Sequence, residues 1–261
     1  MAGNTLNVTL VQSDIVWEDK GANLGHFKSL IENIQEKKEV VVLPEMFSTG
    51  FSMNTTGLAE TMDGETVQWM KEIAKEQRCI LTGSIIIEEE GKYYNRLIWM
   101  QPDGNLFYYN KRHLFAYADE HNHFSAGDKR LIVSVKGFRI CLMICYDLRF
   151  PAWARNQNEE YDALLYIANW PERRNLAWKT LLQARAIENL SYVIGVNRVG
   201  SDAKGLNYTG DSAVYGPLGE KIFEVSNEST VKTITLEKEL IVKTREHLPF
   251  LKDADKFMIL D

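Results

Sequence analysis

One cysteine stands at the point where an apolar segment ends and a tight turn should begin. Cys145 follows the apolar residues 140–144 and precedes the segment YDLRFPAW, in which Pro151 suits the first turn of a helix. A thiol at a turn between a strand and a helix is held exposed, close to backbone N–H groups that can bind an oxyanion. Position alone leaves a second interpretation open, because free cysteine is often a small buried core residue.

The two other cysteines are expected in the core. Cys141 lies inside the predicted strand that ends at Cys145, and Cys79 lies at the start of another predicted strand. Three sparse cysteines in a chain of 261 residues do not form the framework of a disulfide-rich secreted protein, and they indicate free thiols in a reducing compartment. Cys141 and Cys145 are also too far apart along a strand for a disulfide, since a strand extends by about 3.3 Å per residue.

A thiol nucleophile requires a base, and histidine is the usual one. The histidines are His26, His113, His121, His123 and His247. His26 falls on a predicted helix and His247 lies near the C-terminal tail, so neither is an obvious partner for a thiol at the end of a strand. His121 and His123 form an H-x-H pair that can suggest a metal. No further ligands at metal-type spacing accompany them, so we expect solvated loop histidines and no metal.

A carboxylate is the alternative base. Glu45 directly follows the predicted buried strand VVVLP, which places it at the edge of a sheet, where clefts form. Lys111 follows the predicted strand LFYYN in the same way, and Glu120 lies in the loop after it. Plainer interpretations remain open at this point, because Glu45 also fits a helix-capping or solvated acid and Lys111 a surface lysine.

The elements that must position these residues follow from the hydrophobic pattern. Buried or half-buried strands are predicted over residues 7–12, 40–44, 79–87, 93–100, 106–110, 131–135, 138–145, 163–169, 192–197 and 230–236, and a hairpin over residues 212–225. Helices are predicted over residues 24–34, 65–77 and 174–190. Two of the hairpins turn at Asp103-Gly104 and Lys136-Gly137.

This order of elements predicts an α/β fold. Helix-linked strands together with several hairpins indicate two mixed sheets packed face to face and covered by helices. No Pro/Gly/Ser-rich linker or internal repeat interrupts the chain, so a single domain over residues 1–261 is expected.

Composition and charge exclude several classes of function. Apolar residues make up 45% of the chain and charged residues 25%, which are ordinary proportions for a globular protein. A net charge of −6 gives no electrostatic support for nucleic-acid binding. The N-terminal segment lacks the pattern of a signal peptide, and no apolar run approaches the roughly 20 residues that span a bilayer. We therefore expect a cytoplasmic protein with no membrane partner.

Three segments together resemble the nitrilase superfamily of carbon–nitrogen hydrolases. They are LPEMFSTGF around Glu45, YNKRHLF around Lys111 and CLMICYDLRFP around Cys145, and their order and spacing match over nearly the whole chain. The resemblance implies the α-β-β-α sandwich of this superfamily, with Glu45 as general base, Lys111 as electrophilic lysine and Cys145 as nucleophile. It also implies that Glu120 helps to place the substrate and the lysine, and that no metal or organic cofactor is required.

The implied chemistry is hydrolysis of an amide through a thioester. Glu45 would take the thiol proton, and Lys111 with the backbone N–H of Tyr146 would hold the oxyanion. An adjacent ammonium is also a plausible means of lowering the pKa of the Cys145 thiol. Arg149, in DLRFP, matches a further position of the superfamily, and we expect it to form a structural ion pair rather than to contact the substrate.

Within the superfamily, the segments MFSTGFSMN, KRHLFAYADEH and NWPERR are most similar to bacterial omega-amidases. The resemblance implies action on 2-oxo acid monoamides such as 2-oxoglutaramate and 2-oxosuccinamate, with release of ammonia. Arg173 and Arg174 lie near the expected mouth of the site and suit recognition of the far carboxylate, although they also fit surface arginines at the start of a helix. Trp170 and Phe115 are expected as pocket walls, or equally as packing aromatics.

Other functions stay open on the sequence. A nitrilase-superfamily enzyme with a nitrile, N-carbamoyl or other aliphatic amide substrate is the first alternative, and a non-catalytic binding module is the second. The superfamily resemblance also implies a homodimer, in which the tail HLPFLKDADKF could reach the partner subunit.

Overall fold

The computed structural model describes residues 4–259. The strands of this part are β1 (Thr5–Gln12), β2 (Val40–Val42), β3 (Ile80–Glu89), β4 (Lys92–Met100), β5 (Leu106–Asn110), β6 (Leu131–Val135), β7 (Phe138–Ile144), β8 (Ala163–Ala168), β9 (Tyr192–Asn197), β10 (Val199–Ser201), β11 (Asn207–Tyr215), β12 (Lys221–Ser226) and β13 (Thr230–Glu237). The α-helices are α1 (Lys20–Glu32), α2 (Thr55–Leu58), α3 (Glu65–Gln77), α4 (Glu120–His123), α5 (Pro151–Ala154), α6 (Asn175–Asn189) and α7 (Lys238–His247). Short 3₁₀ helices include Cys145–Arg149 and Glu172–Arg174.

The strands form two mixed sheets. The first has six strands in the order β13-β1-β2-β3-β4-β5, in which β1, β2 and β3 are parallel and the remaining pairs are antiparallel. The second has seven strands and contains the order β10-β11-β9-β8-β7-β6, with β12 paired to β11. Here β7, β8 and β9 are parallel. Each sheet therefore has a parallel centre and antiparallel edges.

The two sheets pack face to face over one hydrophobic core. Alternate residues of the central strands of the first sheet, such as Val40 and Val42 of β2, face β7, β8 and β9 of the second sheet. The intervening residues Val41 and Leu43 face the opposite way and pack against α1 and α3. This alternation follows from the two-residue period of a strand, and it buries both faces of the first sheet.

Helices cover the outer faces of the sandwich. Helix α1 begins at Asp19, whose side chain accepts a hydrogen bond from the N–H of Ala22 at 2.9 Å. On the other side, α6 packs onto β9 and β11 through Trp178, Leu182 and Ala186. The observed layers are helix, sheet, sheet, helix, which confirms the predicted fold class.

The predicted elements match the structure closely, but helix α7 and the short helices α2 and α4 were not predicted, and further differences concern Ile34 and β10. Ile34 was assigned to the first helix but lies beyond its end at Glu32, and it is buried by packing instead. The short strand β10 was not predicted, because three residues carry too little periodicity to be recognised. The turn Lys136-Gly137 has φ values of 46° and 79°, as the two-residue hairpin turn requires.

In the described part of the chain, no helix combines the length and the apolar composition that crossing a membrane requires.

Candidate active site

Four polar residues follow four strands and meet at one end of the sandwich. Glu45 comes shortly after β2, Lys111 directly after β5, Cys145 directly after β7 and Asn169 directly after β8. The carboxyl ends of β7 and β8 lie side by side because the strands are parallel. The backbone N–H of Asn169 donates to Oε2 of Glu45 at 2.8 Å, so the strand ends of the two sheets are in direct contact.

Lys111 lies between two carboxylates in the interior. Its Nζ is 2.9 Å from Oε1 of Glu45 and 2.9 Å from each carboxylate oxygen of Glu120. The three side chains are fully buried. The structure thus brings together three of the residues that the sequence singled out, although Glu120 comes from a separate helical turn, α4.

Two asparagines complete the contacts of Glu45. Nδ2 of Asn95 donates to Oε1 of Glu45 at 2.7 Å and lies 3.4 Å from Oε1 of Glu120. Nδ2 of Asn169 donates to the backbone carbonyl of Glu45 at 2.5 Å. Glu120 is held in addition by the backbone N–H of Phe115, which donates to Oε2 at 2.5 Å. The Glu45 carboxylate is therefore held by donors from three separate segments.

The charges of this cluster favour a protonated lysine. Burial alone would lower the pKa of Lys111, but the carboxylates of Glu120 and Glu45 raise it above its usual value. Burial raises the pKa of Glu120. The ammonium of Lys111 opposes this increase, and the negative charge of Glu45 adds to it. Lys111 is consequently a permanent positive charge at this site in the neutral pH range.

Cys145 occupies a strained turn, as its position at the end of a strand predicted. Its φ is 44°, in the left-handed region that non-glycine residues seldom adopt. Strand β7 ends at Ile144, the 3₁₀ helix Cys145–Arg149 follows, and α5 begins at Pro151. Cys145 is half-buried, in contrast to the fully buried Cys79 and Cys141, which confirms the prediction that these two belong to the core.

A buried aspartate holds this turn. Oδ2 of Asp147 accepts hydrogen bonds from the backbone N–H of Ile144 at 2.9 Å and from the hydroxyl of Tyr109 at 2.7 Å. Oδ1 of Asp147 accepts from the backbone N–H of His113 at 3.0 Å and lies 2.8 Å from its Nδ1. The Asp147 carboxylate is bonded to the turn at Cys145 and to the residues after Lys111, so it fixes these two segments relative to each other.

The neighbouring ammonium lowers the pKa of the thiol as expected, but other effects outweigh it. Burial raises the pKa of Cys145 well above its usual value, and the charge of Glu45 raises it further. Lys111 does lower it, but by less than these two effects raise it. The sulfur therefore keeps its proton in the free protein at neutral pH, and a base is required to remove it.

A cavity of about 280 Å³ opens beside the thiol. Its wall includes Cys145, Lys111, Phe115, Tyr146 and Trp170. The rings of Phe115 and Tyr146 meet edge to face with centroids 4.9 Å apart. The aromatic residues expected as pocket walls therefore do line a cavity at the cysteine, which is small by comparison with ligand sites of roughly 300–1,000 Å³.

The cavity mouth carries an excess of positive charge. Arg149, Arg173, Arg174 and Lys204 line it, and Asp202 is the one acidic residue among its lining residues in the described part. Burial lowers the pKa of Arg174, and the nearby charge of Arg173 adds to this effect. Because the negative charge of a single aspartate cannot balance these cations, the cavity mouth favours an anionic ligand.

Arg149 differs from its expected role. Among residues 4–259 no carboxylate lies within 4 Å of its guanidinium, so the predicted structural ion pair is not formed. The guanidinium instead lies over the ring of Trp170, 4.9 Å from the centroid, and Arg174 lies over Phe115 at 5.0 Å. The 3₁₀ helix after Cys145 directs Arg149 into the cavity mouth. There its guanidinium has no carboxylate partner within 4 Å among the described residues.

The remaining histidines lie away from the thiol. His121 and His123 are exposed on α4, as expected for solvated residues. His26 contacts Ser13, with Nε2 2.7 Å from Oγ. Across residues 4–259, no three His, Cys, Asp or Glu side chains are grouped so that they could hold a metal ion.

Sequence patterns missed several residues of the site. Asn169 follows β8 as Glu45 and Cys145 follow their strands, so the same signal could have identified it. Asn95 lies within β4, Lys204 in the turn between β10 and β11, and Tyr208 within β11. Nothing local distinguishes these three from ordinary polar residues, because they reach the site only through strand pairing.

A family model described as carbon-nitrogen hydrolase matches residues 7–246. The chain is 44% identical to omega-amidase YafV of Escherichia coli (strain K12) over 255 residues, which cover 97% of this chain and 98% of that protein. It is 31% identical to 2-oxoglutaramate amidase of Bacillus subtilis (strain 168), over 95% of this chain and 97% of that protein. Both alignments include the segments around Glu45, Lys111 and Cys145.

The fold is similar to a solved structure. A CN-hydrolase superfamily protein from Xanthomonas campestris, with an arsenic adduct in its active site, superposes with a TM-score of 0.96 at 42% identity. The superposition covers 98% of this chain and 99% of that one. The two-sheet sandwich described above is therefore also the architecture of this relative.

Proposed function

The chain belongs to the carbon-nitrogen hydrolase family, in the nitrilase superfamily as its motifs indicated, and on this premise we propose that it is an omega-amidase. The proposed substrates are small 2-oxo dicarboxylic acid monoamides, 2-oxoglutaramate and 2-oxosuccinamate, from which it releases ammonia. The identities to omega-amidase YafV and to 2-oxoglutaramate amidase support this choice.

The cavity at Cys145 is the observation that carries the proposal. It is small, and besides Lys111, which Glu45 and Glu120 neutralise, four cationic side chains line it against one acidic residue in the described part. A monoamide of a 2-oxo dicarboxylic acid is equally small and carries one carboxylate at the end opposite to the amide. With the amide at Cys145, that carboxylate faces Arg173 and Arg149, which no carboxylate of the described residues neutralises.

In the proposed first half-reaction, Glu45 takes the proton of the Cys145 thiol, and the sulfur attacks the amide carbonyl carbon. The raised pKa of Cys145 supports a base-assisted attack over a thiolate formed in advance. The ammonium of Lys111 and the backbone N–H of Tyr146 stabilise the oxyanion. Collapse of the tetrahedral intermediate breaks the carbon–nitrogen bond, and the proton on Glu45 passes to the departing ammonia.

In the second half-reaction, Glu45 takes a proton from water, and the hydroxide attacks the thioester carbonyl. The same oxyanion donors serve again. Breakage of the carbon–sulfur bond releases the 2-oxo dicarboxylic acid, and the proton on Glu45 returns to the sulfur. Lys111 stays protonated throughout, because the two carboxylates raise its pKa. Glu120 holds the lysine in place through both steps, and neither step draws on a metal or organic cofactor.

Ammonia release from a substrate panel tests the proposal. The panel contains 2-oxoglutaramate, 2-oxosuccinamate, a simple aliphatic amide, a nitrile and an N-carbamoyl amino acid. We expect the highest kcat/KM on the two 2-oxo monoamides and no activity for Cys145→Ala, with Cys141→Ala as the control that keeps activity. A preference for the nitrile or the N-carbamoyl compound would assign a different substrate, and an active Cys145→Ala variant would remove the nucleophile.

We also propose a cytoplasmic homodimer. The thiols Cys79, Cys141 and Cys145 are all free, which is consistent with a reducing compartment. The C-terminal tail carries exposed Phe250 and Phe257, apolar side chains that a partner subunit could cover. Light scattering at micromolar protein should give twice the monomer mass, and a monomeric mass would contradict the dimer.

A further inference from the structure

We propose that Asn95 is a positioning residue that directs proton transfer to one oxygen of Glu45, namely Oε2. The inference rests on the proposed function only in taking Glu45 as the base that serves Cys145. Asn95 lies on β4, between β3 and the edge strand β5 of the first sheet, and no sequence pattern distinguishes it from other polar strand residues.

Asn95 contacts all three charged residues of the cluster. Its Nδ2 donates to Glu45 at 2.7 Å and lies 3.4 Å from Oε1 of Glu120. Its backbone carbonyl accepts from the N–H of Lys111 at 3.0 Å. The residue itself is fully buried. From one position on β4, Asn95 therefore contacts the two carboxylates through its side chain and the Lys111 segment through its backbone.

The orientation of the Asn95 amide is imposed by its neighbours. Carboxylate oxygens only accept hydrogen bonds, so the NH₂ group must face Glu45 and Glu120. Its Oδ1 then points away and has no partner among residues 4–259. An unsatisfied buried acceptor is unfavourable, so this arrangement persists only because the carboxylates require the donor.

The number of acceptor sites on the Glu45 carboxylate explains the effect of the Asn95 donor. A carboxylate offers about four lone-pair sites, two on each oxygen. Lys111 and Asn95 occupy both sites of Oε1, and the N–H of Asn169 occupies one site of Oε2. The remaining site lies on Oε2, so this oxygen receives the thiol proton. Without Asn95 a free site would also open on Oε1, and the proton could go to either oxygen.

Asn95 also partly neutralises the charge of Glu45. The titratable groups around Glu45 are Lys111 after β5, Glu120 on α4 and Cys145 after β7. Loss of this donor leaves more negative potential at the site, which favours bound protons there and disfavours the thiolate of Cys145. Proton-linked steps at the site should therefore move to higher pH.

The test compares Asn95→Ala and the isosteric Asn95→Asp with Asn156→Ala. Asn156 is equally buried, but within the described residues its hydrogen bonds join it to Asn189 and Tyr161, neither of which contacts Glu45, Lys111 or Glu120. For Asn95→Ala we expect kcat to fall by about tenfold or more, part of the roughly 10²–10⁴-fold that acid–base catalysis supplies, with KM little changed. The acid limb of the kcat/KM profile should move to higher pH, and by about one unit or more for Asn95→Asp, which adds a like charge.

A second measurement uses no substrate. The rate at which iodoacetamide alkylates Cys145, followed by mass spectrometry, should have its pH profile displaced to higher pH in both Asn95 variants and unchanged in Asn156→Ala. If the wild type releases no ammonia from 2-oxoglutaramate while these profiles shift, the proposed substrate fails and the role of Asn95 stands.

One result would overturn the inference. If Asn95→Ala lowers the Tm as Asn156→Ala does but leaves the acid limb, kcat and the alkylation profile as in the wild type, Asn95 only packs. If Asn95→Ala does not fold, Asn95→Asp decides in its place, because it keeps the size of the side chain. An unmoved acid limb in Asn95→Asp would equally contradict the inference.

Discussion

The Nδ1 atom of His113 lies 2.8 Å from Oδ1 of Asp147, and this contact joins the segment of Lys111 to the turn of Cys145. His113 comes two residues after the lysine, and Asp147 two residues after the cysteine. The imidazole also stacks on Phe150 with centroids 3.7 Å apart. The relative position of Cys145 and Lys111 therefore depends on a contact between a buried aspartate and a partly buried histidine.

Replacing Asp147 by Ala should destabilise the protein and impair the site. The backbone N–H of Ile144 and that of His113 would lose their acceptor in the interior, at a cost of about 1–3 kcal/mol for each group. Urea denaturation should show a free energy of unfolding lowered by about 3 kcal/mol or more, and kcat should fall. Asp103→Ala, which removes an exposed turn acceptor, is the control, and equal losses in both variants would refute the special role of Asp147.

Replacing Glu45 by Gln should remove the base while it keeps the shape of the side chain. We expect kcat on 2-oxoglutaramate to fall by roughly 10²–10⁴-fold, because an amide cannot accept the thiol proton. Glu39 directly precedes β2, at the opposite end of this strand from Glu45, so Glu39→Gln should leave kcat unchanged. Wild-type turnover by Glu45→Gln would show that another group deprotonates Cys145.

Replacing Lys111 by Met should leave two buried carboxylates next to each other. Breaking a buried pair in this way costs about 3–5 kcal/mol. Lys111 opposes the burial that raises the pKa of Glu120, so without the lysine this folded-state pKa rises further above that of the unfolded chain, and the variant loses stability as pH rises through it. Urea denaturation should thus show a larger deficit at pH 7.5 than at pH 5, whereas Lys243→Met, in an exposed pair, should behave as wild type at both values.

The alkylation rate of Cys145 should rise with pH without a plateau below pH 9. Burial and Glu45 raise the pKa of this thiol, so the reactive thiolate is a minor species in the neutral range. Glu45→Gln should displace the profile to lower pH and Lys111→Met to higher pH, since the two charges act in opposite directions. A plateau at pH 7 in the wild type would mean that the thiolate exists before substrate binds.

Replacing Arg173 or Arg149 by Gln should weaken binding of anionic substrates in particular. A lost charge-assisted hydrogen bond costs about 1.5–3 kcal/mol, which corresponds to a KM for 2-oxoglutaramate raised roughly 10–100-fold. Turnover of a neutral aliphatic amide should change little, and Arg78→Gln, at an exposed arginine after α3, serves as the control. Equal effects on charged and neutral amides would indicate that the two arginines shape the cavity without recognising a carboxylate.

The strands and helices were largely predictable from the sequence. Periods of two and of 3.6 residues identify β1 to β9 and α1, α3 and α6, because one-sided burial leaves a repeating pattern in the chain. The fold class followed from their order. The short strand β10 and the 3₁₀ turns left no such pattern, since they are too short to repeat.

The site could be predicted in part. Glu45, Lys111 and Cys145 were recognisable because each follows an apolar strand, and strand ends collect at the edges of sheets. Their sequence context suggested the chemistry, and the family match confirmed the resemblance. The ion pair expected for Arg149 was wrong, and the lowering effect of Lys111 on the pKa of Cys145 is present but outweighed by burial and by Glu45, because both outcomes depend on which charges and how much burial surround a group in three dimensions.

The sequence by itself determined the residue types, the order of the elements and the placement of three charged or reactive groups at strand ends. Only the tertiary structure decided that Asn95 faces Glu45, that Asp147 joins the cysteine turn to His113, and that the cations at the cavity mouth have so little acidic compensation. These contacts link positions tens of residues apart, and hydrogen bonds and charges act over a few ångströms of space, so no local pattern in the chain records them.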